Sequence, residues 1–394
     1  MALTHIPLEQ VTEADLQRLI EAATAESLYI EYKRVTYGGK DEDHKEFLAD
    51  ISSFANSAGG DLVIGMAEDH GKPTAFEPFF GNVDAERMRL DQMARGGIEP
   101  PLSNLQTAAV PLMQGGHVII LRVPRSYNPP HRVAYKGTRR FFARSSASAR
   151  RYEPNVEELR SLFVVAPQLS ERIRAFKMER IAKIVARETP VPLVAENGLL
   201  VLHVIPYSAF DLRGSLSLAE VERHWRAFPP LGRKESQYPR LNFDGFLGVS
   251  NVNEDAAEQH AYVQVFRSGA VESVRTWNPH RTIETEAHLV RYARLYAHGL
   301  HLCGVQPPLV VLASLLNVRG MKFVIGNASR LWPDTPIPAD RDQYHFIESV
   351  LEAVPTDDQQ TASVLRPMLD HIAGLAGKAA TPTFDESGNY KLTI

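Results

Sequence analysis

The chain has 394 residues, of which 44% are hydrophobic and 23% charged, with a formal net charge of −4. This composition excludes a disordered or fibrous protein, no apolar run is long enough to span a bilayer, and the length exceeds one ordinary core, so two domains are expected. The single cysteine, Cys303, excludes an internal disulfide, and the opening MALTHIPLEQ lacks the basic-then-apolar order of a secretory signal, so a reducing, cytoplasmic setting is expected.

In chain order, residues 11–27 read as a helix with Leu16, Leu19, Ile20 and Ala23 near one face and Thr12 as its cap. LYIEYKR follows as a strand whose alternation puts Leu28, Ile30 and Tyr32 on one face and Tyr29, Glu31 and Lys33 on the other. Residues 43–58 form the clearest helix, with an apolar stripe of Phe47, Ile51, Phe54, Ala55 and Ala58, stopped by Gly59-Gly60. Asn56 caps or ties that stop, with a ligand as its other possible target. DLVIGMA is then expected as one buried strand, residues 84–94 as a helix, and residues 105–113 and 117–124 as a hairpin around Gln114-Gly115-Gly116. RRFFAR reads as a short strand and residues 155–163 as a closing helix.

Residues 1–165 are thus expected as a first lobe, 166–190 as a helical linker and 191–394 as a second lobe. In the second lobe, a strand is expected at 199–206, a hairpin at 260–277 turning at Ser268-Gly269, and a long helix at 284–303 that precedes the apolar stretch PPLVVLASLLNV. The tail from residue 380 is polar and expected to be mobile at its end. The expected fold class is α+β, two-lobed, with mixed or antiparallel sheets and flanking helices.

Two stretches carry chemistry. ESLYIEYKR sets Glu26 and Glu31 five residues apart, with Lys33 on the face of Glu31. KGTRRFFARSSASARR contains Lys136, Arg139, Arg140, Arg144, Arg150 and Arg151 and no acid, a basic strip suited to phosphates on an otherwise acidic chain. Phe141 and Phe142 within it suit base stacking, although only one of an adjacent strand pair faces out. The blander alternatives are an ion pair on a wet sheet face and a solvated hairpin. His298, His301 and Cys303 lack the second ligand pair of a zinc site.

Taken together, ESLYIEYKR, EFLADISSFANSAGGDLVIGMAED and FFARSSASA resemble the Schlafen/AlbA-like domain over roughly residues 20 to 165. Met66 stands where that family usually has valine, and Ser145 where a glycine often follows the late arginine. The resemblance implies a nucleic-acid-binding lobe. Some members cut structured RNA such as tRNA with three acids and a divalent cation, which implies a Mg²⁺- or Mn²⁺-dependent endoribonuclease here. The acids then fall on Glu26, Glu31 and either Glu68 or Asp69, with Lys33 offsetting phosphate charge. Strand parity places Val63, Gly65, Ala67 and Asp69 on one face and favours Asp69.

The alternative is a non-catalytic DNA- or RNA-binding regulator, in which the acids only order the sheet. An ATP-binding role rests on a family label alone, since no Walker pattern is present. The expected partner is nucleic acid, RNA ahead of DNA, and no membrane. The second lobe carries no assignable motif; it either closes a groove over nucleic acid, adding Arg233, Lys234, Arg240 and Arg267, or makes a homodimer.

Overall fold

The computed structural model describes residue 3 and residues 6–102, 104–145, 150–194, 198–210, 216–251, 258–277, 282–323 and 337–391. The chain divides into two compact units, Met1–Ser170 and Glu171–Ile394, both built of helices and predominantly antiparallel strands, an α+β fold.

The first unit runs α1 (Glu13–Glu21), β1 (Ile30–Lys33), α2 (Asp41–Ala55), β2 (Gly60–Ile64), β3 (Met66–Asp69), β4 (Lys72–Phe76), α3 (Val83–Gly97) and β5 (Ile98–Glu99). It continues with β6 (Gln106–Pro111), β7 (His117–Val123), β8 (Arg132–Tyr135), β9 (Thr138–Phe141), β10 (Ala143–Arg144), β11 (Arg151–Tyr152) and α4 (Val156–Phe163). The central sheet has the order β1-β2-β7-β6. Only β1 and β2 are parallel, and parallel neighbours need a crossover, which α2 supplies.

Alternation along the strands sorts the two faces. Leu62 and Ile64 of β2 and Ile119, Leu121 and Val123 of β7 join Phe47, Leu48, Ile51 and Phe54 of α2 and Leu90 of α3 in one core. Ile30, Tyr32, Val63, Val118 and Ile120 join Leu16 and Leu19 of α1 in the other. Asp61, fully buried, is clamped by Arg122 at 2.7 Å, and the same guanidinium donates to the carbonyls of Ile6 and Leu3, fastening the N-terminal segment to the sheet.

Two expected strands are broken. DLVIGMA splits at Gly65, whose φ of +101° ends β2 and starts the β3–β4 hairpin. RRFFAR splits at Phe142: β9 pairs with β8, whereas β10 pairs with β11.

Helix α5 (Val165–Val185) spans the division between the units, and its Ile181 and Ile184 pack in the second. Beyond it come β12 (Gly198–Pro206), α6 (Leu218–Arg223), β13 (Arg240–Leu241), β14 (Gly245–Val249), β15 (Ala261–Phe266), β16 (Val271–Trp277), α7 (Thr282–Leu302) and β17 (Leu309–Leu316). β18 (Lys322–Phe323), β19 (Ile337–Pro338), β20 (Gln343–His345), β21 (Ser349–Leu351) and α8 (Asp358–Gly374) complete the unit.

Its large sheet is antiparallel in the order β13-β14-β15-β16-β12-β17-β20, with β21 also on β17. All nine residues of β12 are buried, because Leu200, Leu202 and Val204 meet the core shared with α7 and α8 while Leu199 and Val201 meet α5. The tail is tied down through residue 391: Thr381 and Thr383 are buried, the Thr381 hydroxyl donates to Glu286, and the Tyr390 amide donates to Gln359. Residues 392–394, where mobility was expected, lie outside the described residues.

Candidate functional site

Strand β1 turns Ile30 and Tyr32 into the α1-side core, which aims Glu31 and Lys33 at α2. There the Lys33 ammonium lies 2.7 Å from Glu31 Oε1, 3.2 Å from Glu46 Oε1 and 3.4 Å from Asp50 Oδ2. Glu46 and Asp50 are one helical turn apart, so a single cation reaches both. Arg144 of β10 donates to Glu31 Oε2, and Arg151 of β11 donates to Asp50 Oδ1, while the Tyr37 hydroxyl donates to Asp50 Oδ2 at 2.7 Å. Arg144 and Arg151 are register partners on the β10–β11 ladder. Like charges directly opposite repel, and here Glu31 and Asp50 face them from below. Three acids, Glu31, Glu46 and Asp50, and three cations balance in one cluster that is buried at Glu31, Asp50 and Arg144 and open to solvent at Glu46.

The electrostatics follow. Burial pushes the Glu31 carboxyl up, but the Arg144 and Lys33 charges outweigh it and hold the group below the usual carboxylate range. Burial also opposes the Lys33 charge, yet Asp50 and Glu31 keep its pKa raised.

The turn after α2 builds the seat for this cluster. Asn56 donates to the carbonyls of His131 and Phe142 at 2.7 and 2.9 Å and accepts from the His131 amide at 2.7 Å. Ser57 Oγ accepts from the Arg144 amide at 2.7 Å, and the Arg144 guanidinium lies 4.1 Å from the centre of the Phe54 ring. A side chain at Gly60 would meet that ring and the Tyr29 carbonyl, so only glycine lets the chain pass. Asn56 therefore ties the helix end to the β8–β10 segments.

Glu26 stands just before β1, its Oε1 accepting from the Tyr32 amide at 3.1 Å and its amide donating to the Gly71 carbonyl at 2.7 Å. Burial raises its pKa, and the charges of Glu31 and Glu68 raise it further. Glu68, not Asp69, is the hairpin acid turned toward Glu26; its Oε2 accepts from the Gly71 amide at 2.6 Å. The side chain of Asp69 is 77% exposed, with His70 at 3.9 Å. Period-two parity points to Asp69 only along an unbroken strand. The left-handed turn at Gly65 and a register shift between Ala67 and Glu68 break it.

As placed, Glu31 offers a divalent ion no free oxygen, since both already face cations. Among the described residues no group of three or more His, Cys, Asp or Glu side chains is assembled for a metal.

The basic strip sorts into two sets. Arg144 is buried and Arg151 half-buried in the cluster below. Lys136, Arg139, Arg140 and Arg150 are exposed. Lys136 pairs with Asp41 at 2.7 Å and Arg140 with Glu153 at 3.1 Å; Arg139 and Arg150 have no salt bridge among the described residues. Phe142 turns into the α2–α3 core, while Phe141 meets Phe163 edge-on at 6.1 Å. Phe163 itself is 58% exposed. Tyr37, Glu46 and Asp50 went unseen in the sequence reading, although an acid set between Phe47, Ile51 and Phe54 at helical spacing was the available signal.

Residues 26–153 match the family model described as Schlafen, AlbA_2. Among solved structures, the N-terminal domain of a RecG-related protein from Nitrosomonas europaea is 19% identical, the match covering 29% of this chain and 74% of that one with a TM-score of 0.24. The DIP2311 protein from Corynebacterium diphtheriae is 14% identical over 39% of this chain and 28% of its own, with a TM-score of 0.27. Both scores are too low for either likeness to bear on fold or function. No curated protein matches the chain.

Proposed function

With residues 26–153 forming a Schlafen/AlbA-like domain, we propose that the chain binds nucleic acid through the exposed cations of the strip. The observation that carries this reading is the sorting of the strip itself. Arg144 and Arg151 are committed to buried carboxylates and hold β10–β11 in place. Lys136, Arg139, Arg140 and Arg150 remain at the surface, two of them without ion pairs among the described residues. Exposed arginines beside the Phe141–Phe163 pair suit a phosphate backbone with bases stacked alongside. RNA is favoured over DNA only by the family resemblance.

A narrower proposal is a Mg²⁺- or Mn²⁺-dependent endoribonuclease acting on structured RNA such as tRNA. What favours it is Glu26, a carboxyl whose pKa is raised first by burial and then by the neighbouring charges of Glu31 and Glu68. That is a concentration of negative charge which a cation would relieve. Against it stands the engagement of both Glu31 oxygens. The rival to this narrower proposal is a non-catalytic binder with the acids as scaffold.

Gel shift and cleavage on the same samples separate these readings, using the full chain, tRNA, and Mg²⁺ or Mn²⁺. Wild type is set beside Glu26→Gln and Arg139→Glu/Arg140→Glu. Binding by wild type that the arginine changes weaken supports the interface; no binding to RNA or DNA refutes it. Cutting that Glu26→Gln abolishes while binding persists supports the endoribonuclease, and binding without cutting leaves the non-catalytic protein.

A further inference from the structure

We propose that the β13–β14 turn of the second unit is a stacking platform for single-stranded nucleic acid, distinct from the basic strip of the first. The inference rests on the reading that this protein binds nucleic acid, and it assigns that binding a second site.

The turn is held from beneath with unusual thoroughness. Asn242 and Gln264 exchange amide hydrogen bonds at 2.7 and 3.1 Å, and Gln264, fully buried, also donates to the Phe246 carbonyl at 3.1 Å. The Gly245 amide donates to Asn242 Oδ1 at 2.9 Å, and the Asn242 amide to the Gly245 carbonyl at 2.8 Å. A Cβ at Gly245 would lie 2.1 Å from the Val265 carbonyl oxygen, so glycine is required for the turn to sit this close to β15. From the other side, the Arg267 amide donates to the Asp244 carbonyl at 2.9 Å and Arg267 Nε to the Phe243 carbonyl at 3.0 Å.

All of this fixes a backbone whose tip is Phe243, 92% exposed. A lone exposed aromatic is ordinary; one presented on a turn locked by a buried amide pair is preorganised. Its neighbours match the same ligand. The Arg240 guanidinium lies 5.2 Å from the centre of the Tyr238 ring, and Tyr238 is itself exposed. Arg240 on β13 and Arg267, held on the Phe243 carbonyl, are exposed beside Asp244, leaving the turn positive on a chain whose net charge is −4. Aromatic faces interleaved with arginines take unpaired bases and backbone phosphates together, and a duplex, with its bases already stacked, offers the rings nothing.

The test is fluorescence polarisation of the full chain with a labelled single-stranded RNA, the DNA of the same sequence, and the matching duplexes, with light scattering on the same samples. Phe243→Ala, at a solvent-facing position, is expected to weaken single-strand binding about tenfold at unchanged salt dependence. It should leave duplex binding as it is. Arg240→Ala should weaken single-strand binding and make its salt dependence shallower. The platform is overturned if Phe243→Ala binds single strands as wild type does while Arg139→Glu/Arg140→Glu loses binding. It is equally overturned if Phe243→Ala changes only the molar mass, which would give the turn to a second copy of the chain. Wild type that binds none of the four probes would refute the nucleic-acid reading itself, and the platform with it.

Discussion

Arg144 and Arg151 stand opposite each other on the β10–β11 ladder, and each reaches down to a different buried carboxylate, Glu31 on β1 and Asp50 on α2. Two like charges at one register position repel. The arrangement holds because Lys33 sits between the two acids and the cluster is neutral as a whole. The strand that carries the exposed arginines is thereby tied, through its neighbours, to the parallel β1–α2–β2 crossover.

Removing one partner of this cluster should destabilise the protein more than removing two. Glu31→Gln leaves the buried Arg144 facing a neutral amide, with an expected loss of about 3 kcal/mol. Glu31→Gln combined with Arg144→Met should recover much of that loss. Urea unfolding of the two variants beside wild type measures the difference, and equal losses would show that the pair contributes nothing specific.

Asn56 satisfies two carbonyls and one amide that otherwise face each other inside the fold. Asn56→Ala leaves them unpaired at an expected cost of about 3 kcal/mol. Thermal unfolding reads this directly. Binding of nucleic acid at a temperature where the variant is folded should change little, since Asn56 is 4% exposed.

Glu286, fully buried beneath Thr381 and Thr383, has its pKa pushed up to about 7 by burial. A folded carboxyl raised above its unfolded value of 4.5 contributes stability at acid pH that is lost as pH rises through 7. Across that window the change is roughly 3 kcal/mol. Glu286→Gln should therefore flatten the fall in melting temperature between about pH 5 and pH 8 and be the more stable protein at pH 8. A wild-type profile flat across this range would contradict the assignment.

Much of this was legible in the sequence, and the failures share a cause. The alternation of β1 put Glu31 and Lys33 on a common face, as found, because strand period is a local property. The αL stop at Gly59 was equally local. Asp50 was missed because a helix sequence does not say what packs on it, and Arg151, which pairs with it, lies about a hundred residues later. Parity failed at Glu68 and Asp69 where Gly65 and a bulge reset the strand. The strip read as one surface because nothing local shows that β9 and β10 belong to different sheets. Helix α8 escaped notice with Pro367 inside it, a residue that normally argues against a helix interior.

The most direct test of the central claim is the affinity of the full chain for RNA as a function of salt, wild type beside Arg139→Glu/Arg140→Glu. Binding through exposed cations predicts that log affinity falls linearly with log salt, and that the variant binds more weakly with a slope shallower by about two. An affinity that ignores salt, or a variant that matches wild type in both affinity and slope, would contradict it.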